Sequence, residues 1–278
     1  MVLEILIGPK RAEAHPKLMF LYGFFYASIA LLLSLWIFKS QASIIMVFLT
    51  VLACIPLLHR TFKREEKYDL KIDSEKLIMK EHWRALKFLL FLFFGILVAY
   101  AFWFIVLPES ISTTLFSSQI ETIQSINGKV VFGNFIGEDV FFKILINNFK
   151  VLLFCIFFSF FYGAGALFIL VWNASVISAA MGIFVREKLS TIFSYFHIFP
   201  LALMRYMTHG VFEILAYFIG GMAGALISFA VINSHLNSKQ IKHVLIDTLD
   251  LTLIALVILL IGALVEVYFT PIIMSFFL

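Results

Sequence analysis

From Ile214 to Ile232 this chain carries no charged residue, and from Leu251 to Leu278 it carries one, Glu266. Apolar runs of about 18 residues or more are long enough to cross a bilayer as a helix. The remainder of the chain is of the same kind. Of its 278 residues 62% are hydrophobic and 14% charged, and its mean hydropathy is +1.03, whereas soluble domains carry roughly 25% charged residues. The expected fold class is therefore all-α, a polytopic transmembrane helix bundle of about 7 spans, or 6 if residues 173–185 are re-entrant, in the cell membrane. The 34 Phe fit lipid-facing and packing positions, and Cys54 and Cys155, both inside apolar stretches, read as buried thiols. The net charge of +4 comes from basic residues flanking spans, which does not point to nucleic acid.

Residues 1–16 read as a short interfacial segment, and no cleavable signal peptide is expected. Leu18 to Phe38 and Ser43 to Leu58 are two spans joined by the tight link from Lys39 to Ala42, a helical hairpin. Residues 59–85 hold eight Lys or Arg and six Asp or Glu, a solvated loop whose positive charge places it in the cytoplasm. The alternation from Asp69 to Asp73 predicts a short strand or hairpin within it. The expected organisation is an N-terminal part, 1–85, and a main transmembrane domain, 86–278. In the latter, Leu86 to Leu107 is a third span. Residues 108–142 form an outer loop with a turn at Asn127-Gly128 and a surface helix over Ser112 to Ile126, available to a partner. Spans then follow at Asn148 to Val171, Asn173 to Val185, His209 to Ile232 and Leu251 to about Ile273. Trp172-Asn173 divides the first two, and residues 186–208 are interfacial or re-entrant. The N-terminus is expected inside and the C-terminus outside.

Charge inside the apolar runs marks where function is to be sought. A carboxylate costs about 2.5–3.5 kcal/mol at the bilayer centre on insertion scales. His209 and Glu213 are four residues apart and share a helix face. His209, Glu213, Ala216, Gly220 and Gly224 fall on one stripe, and Thr252, Ala255, Gly262, Glu266 and Thr270 on another. Polar and small residues thus share faces in both helices, which predicts close packing at Gly220, Gly224 and Gly262. The expected intramembrane polar cluster is Asn148, Asn173, His209, Glu213 and Glu266, with Asn173 at the opposite end of its span from the others.

Three roles compete for these groups. They lock the bundle through hydrogen bonds. They bind an ion or proton, and a divalent metal ion at His209, Glu213 and Glu266 is the cofactor such a site implies. Or they serve an intramembrane hydrolase, for which the chain has neither His-Glu-x-x-His nor a Ser or Cys nucleophile pattern, so that no catalytic residue is assigned. No convincing internal repeat points to an inverted-repeat transporter.

The order of these groups resembles a known family. Asn147-Asn148 opens a span, Gly163-Ala164-Gly165 follows, then Asn173 and Gly182. His209-Gly210-x-x-Glu213 precedes a Gly/Ala-rich helix, and Glu266-x-x-x-Thr270-Pro271 closes the chain. This resembles the stage II sporulation protein M family over residues 86–278, with Thr208 where the family often has Pro. The hairpin at 18–58 and the charged loop look like an addition found in non-sporulating relatives. In spore formers the family member acts with cell-wall hydrolases as membrane anchor and scaffold. The resemblance thus implies a non-enzymatic assembly protein, with the bilayer, a membrane or extracytoplasmic protein and a second copy of the chain (a homo-oligomer) as partners. The alternative is a transporter or channel component with its ion site at Glu213, His209 and Glu266.

Overall fold

Backbone N–H and C=O groups in hydrocarbon have no water to bond, so an apolar chain satisfies them within helices. A computed structural model describes residue 12 and residues 14–69, 75–131, 137–162, 165–188, 195–232 and 238–276, and among these residues there is no strand. The helices are α1 (Pro16–Ile37), a 3-10 turn (Lys39–Gln41), α2 (Ala42–Asp69), α3 (Glu75–Val106), α4 (Glu109–Leu115), α5 (Ser117–Val131), α6 (Gly137–Tyr162), α7 (Ala166–Lys188), α8 (Tyr195–Ile232) and α9 (Ser238–Leu264). A π-helical turn (Val265–Phe269) then leads into α10 (Thr270–Ser275).

Seven segments are long and apolar enough to cross a membrane: Pro16–Ile37, Lys39–Thr61, Lys80–Val106, Val140–Phe161, Ala166–Lys188, Ile198–Ile232 and Ile241–Ser275. Hydroxyls inside them are satisfied locally, as Thr61 donates to the Leu57 carbonyl and Thr248 to that of Val244. Contacts between them give the relative directions. Ser178 donates to Leu97 O and Arg186 to Phe104 O and Leu107 O, so α3 and α7 run parallel. Trp103 donates to Ser28 near the ends of α3 and α1, while Gly95 meets Phe20 earlier in both, so these two are parallel as well. Alternate crossings of the bilayer account for both pairs. Cys54 and Cys155 are buried free thiols.

α8 is the central helix: 82% of its apolar window is buried in the bundle, against 22% for α6. α6, α7 and α9 pack around it. Phe149, Phe154, Phe157 and Phe161 of α6 are exposed, which places them against lipid in a membrane.

Several boundaries differ from the sequence expectation. No break occurs at Trp172-Asn173: α6 ends at Tyr162 and α7 begins at Ala166. Gly165 lies in the turn where its α-carbon abuts the backbone carbonyl of Phe158, leaving no room for a side chain, and the Ser159 hydroxyl accepts the first N–H of α7 from Ala166 at 3.1 Å. Residues 173–185 therefore lie within one crossing helix, and the six-span alternative does not hold. The interfacial segment expected up to Thr208 is, from Tyr195 on, the first half of α8, with Pro200 inside the helix. Its 38 residues extend about 57 Å at ~1.5 Å per residue, well beyond a ~30 Å hydrocarbon layer. Much of the charged loop 59–85 is helical, because α2 runs on to Asp69 and α3 begins at Glu75. α5 continues through Asn127-Gly128, where a turn was expected. Between the spans expected to end at Ile232 and to begin at Leu251, the chain is already helical from Ser238.

The surface helix expected over Ser112 to Ile126 is two helices, α4 and α5, packed on α2 and α7 through Ser43–Ser118 (2.9 Å) and through Gln119 to Ser175 (3.1 Å) and to Ser43 O (3.1 Å). The interfacial segment before residue 12, most of the strand expected at Asp69 to Asp73, and Gly163 lie outside the described residues.

Candidate functional site

Asn148, Glu213 and Glu266 come from three helices, α6, α8 and the π-helical turn after α9. The Nδ2 amide of Asn148 donates to Oε1 of Glu213. Asn147 Nδ2 reaches Oδ1 of Asn148 at 3.5 Å, which turns the Asn148 amide nitrogen toward Glu213. The Glu213 and Glu266 carboxyl groups stand next to each other. His209 Nε2 stands 3.8 Å from Glu266 Oε1, and its Nδ1 is 3.4 Å from the Thr270 hydroxyl. That hydroxyl donates to Val265 O at 3.1 Å, so the Thr208 hydroxyl, 3.0 Å away, donates to it.

The π-helical turn has an identifiable cause. Pro271 cannot donate to the carbonyl four residues back, and its ring would collide with it. The helix widens over Val265–Phe269, and the Thr270 N–H bonds Val265 O, five residues back. This turn carries Glu266, and π-helical turns inside α-helices are frequent at functional sites.

The small residues set the distances between helices. Gly224 of α8 abuts the Ile156 backbone carbonyl and Gly220 abuts Leu152, both on α6. Gly262 of α9 faces Phe212 and Glu213, where an added Cβ would stand 3.2 and 3.4 Å from their side chains. The sequence stripes predict close packing at all three glycines; Gly220 and Gly224 pack against α6, and Gly262 packs at the α8–α9 seam. The order of these contacts makes α6 and α8 parallel and α8 and α9 antiparallel. Asn148 lies about 12 Å along α6 from Val140, and Glu266 about 14 Å from Ser275, at ~1.5 Å per residue. Both values are close to half of a ~30 Å hydrocarbon layer.

Beside this group lies a cavity of about 500 Å³, lined by Ile123 of α5, Val176, Ile177 and Ala180 of α7, Arg205, Tyr206 and His209 of α8, and Glu266 and Thr270. The His209 and Glu266 side chains keep 15% and 30% of their surface exposed, so the cavity opens onto them. Asn173 is not part of this arrangement: its amide bonds the Ile169 carbonyl of its own helix at 2.9 Å. Among the described residues no group of three His, Cys, Asp or Glu side chains is arranged to hold a metal ion.

Sequence reasoning missed the cavity and the place of Arg205 and Tyr206 in its lining. The available signal was the spacing of Arg205, His209 and Glu213 at intervals of four, one continuous helix stripe that an interfacial boundary at 208 cuts in two.

A helical membrane bundle with carboxyl, imidazole and amide groups meeting between its helices is the class that fold and site define. A model of the Stage II sporulation protein M family matches residues 86–271, more than half of the chain, and the chain belongs to that family. No curated protein and no solved structure matches it.

Proposed function

We propose that this chain is a membrane transport component in which Glu213 and Glu266 hold one exchangeable proton between them. Two carboxylates in contact inside a low-dielectric bundle repel each other. One shared proton removes the repulsion and still leaves Asn148 a carboxylate oxygen to donate to. The observation that carries this reading is the cavity, which reaches Glu266 and His209 and so gives a proton a wet route to the pair. His209, 3.8 Å from Glu266 and facing the same cavity, is placed to relay it.

A divalent ion at His209, Glu213 and Glu266 is the competing occupant, although among the described residues no group of three such side chains is arranged to hold one. Elemental analysis separates the two: stoichiometric metal, lost in Glu213→Gln and Glu266→Gln, would make this a metal site. The second reading is an assembly protein, the role the resemblance implies, and it rests on the family membership. It needs the fold and not the proton.

The test is labelling with dicyclohexylcarbodiimide, which reacts with protonated carboxyls in apolar surroundings, read by intact mass and peptide mapping. The expected result is one adduct per chain, mapping to Glu213 or Glu266, and none in the folded double variant Glu213→Gln/Glu266→Gln. An unreactive wild type, or equal labelling of the double variant, removes the proton and leaves the assembly reading.

A further inference from the structure

The second arginine near the cavity end of the bundle differs from the first. Arg186 spends its donors on the carbonyls of Phe104 and Leu107 and on the Ser112 hydroxyl, so it caps α3 and serves the fold. Arg205 lines the cavity, and among the described residues its guanidinium has no carboxylate or carbonyl partner. Its Cζ stands 5.1 Å from the centre of the Phe184 ring and 5.8 Å from that of Tyr206. Aromatic neighbours hold a guanidinium in place without consuming its N–H donors.

The same cavity offers an apolar wall of Ile123, Val176, Ile177 and Ala180. Its volume, about 500 Å³, falls in the range of small-molecule sites, which pair mostly apolar linings with a few placed polar groups.

We infer that this cavity binds a small organic anion, its carboxylate held by Arg205 and its apolar body lying along Ile123, Val176, Ile177 and Ala180. The fork of N–H donors on a guanidinium matches a carboxylate with two parallel bonds, which a point charge such as Lys does not. The inference rests on the proton reading of the same site and adds its cargo: one anion on Arg205 and one proton on the glutamate pair make a neutral load. The occupant is a water-soluble carboxylic acid small enough for a cavity of about 500 Å³, and a lipid headgroup is an outcome that the test distinguishes.

The test uses the full chain in an uncharged detergent and titrates butyrate and benzoate beside their uncharged isosteres butyramide and benzamide, by calorimetry and by thermal shift. The carboxylates are expected to bind in the millimolar range or tighter and the amides not to bind. Arg205→Gln, running as the same monodisperse species, is expected to weaken carboxylate binding by at least about tenfold, with Arg205→Lys between the two. No carboxylate binding, equal binding of the amides, undiminished binding in Arg205→Gln, or a response only to anionic lipid vesicles would overturn the inference. Carboxylate binding without a carbodiimide adduct would leave the anion site and remove the proton, and an adduct without carboxylate binding would do the reverse.

Discussion

At the scale of single residues, two asparagines that look alike in the sequence have different work. Asn148 is buried and donates across to Glu213 on another helix, whereas Asn173 bonds a carbonyl four residues back on its own. Removing the first leaves a carboxyl without its donor; removing the second leaves one carbonyl with its helical bond. Asn148→Leu is therefore expected to lower stability by about 1–3 kcal/mol, and Asn173→Leu by less than about 0.6 kcal/mol, the average for such contacts in membranes. Thermal unfolding of the two variants in one detergent checks the order. His209, Glu213 and Glu266 were legible as residues because charge inside an apolar run stands out. Their meeting with Asn148 was expected from their shared faces and depth; their position well inside α8 was not, because it depends on where that helix begins. With α8 starting at Tyr195 and not at His209, the cluster lies well inside the helix and Arg205 joins its stripe.

At the scale of elements, the glycines decide how close helices come. An added Cβ at Gly224 would run into the Ile156 backbone carbonyl, which cannot swing aside, while at Gly262 it would meet the Phe212 side chain at 3.2 Å. Gly224→Ala is expected to cost about 1–3 kcal/mol through overpacking. Gly262→Ala is expected to stay within about 1 kcal/mol of wild type, since a slight side-chain shift is offset by better helix propensity. Equal losses in a denaturation series would contradict this picture of the α6–α8 contact.

The helix ends show the limit of hydropathy reading. Trp172-Asn173 reads as a break and Gly163-Ala164-Gly165 does not, because both lie in uniformly apolar surroundings where composition does not distinguish a bend from an end. A side chain whose polar group bonds its own helix, as Asn173 does, carries no boundary signal at all. The π-helical turn was foreshadowed only by Pro271 closely following Glu266.

For the whole molecule, the seven apolar segments were visible as runs of hydropathy, and the contacts between them fix relative sides that charge counting left open. The Ser43–Ser118 contact ties the α1–α2 link to the α4–α5 pair, and the Arg186–Ser112 contact ties the end of α7 to the same side. The cavity residue Ile123 belongs to that pair too, so the cavity lies toward this side. The charged ends of α2 and α3 lie on the opposite side, which the positive-inside bias predicts to be the cytoplasmic one. In a background without Cys54 and Cys155, a membrane-impermeant thiol reagent is expected to label Thr113→Cys in intact cells and Lys63→Cys only after lysis. Labelling of both from one side would reject the seven-span arrangement.

The glutamate pair is the centre of the account, and infrared difference spectroscopy of the chain in lipid nanodiscs addresses it most directly. The expected result is a carboxylic-acid C=O band at neutral pH that shifts on transfer to D2O within the mixing time and is lost in the Glu213→Gln/Glu266→Gln double variant. A spectrum without that band, or a band that resists exchange for hours, would contradict a shared proton in contact with the cavity.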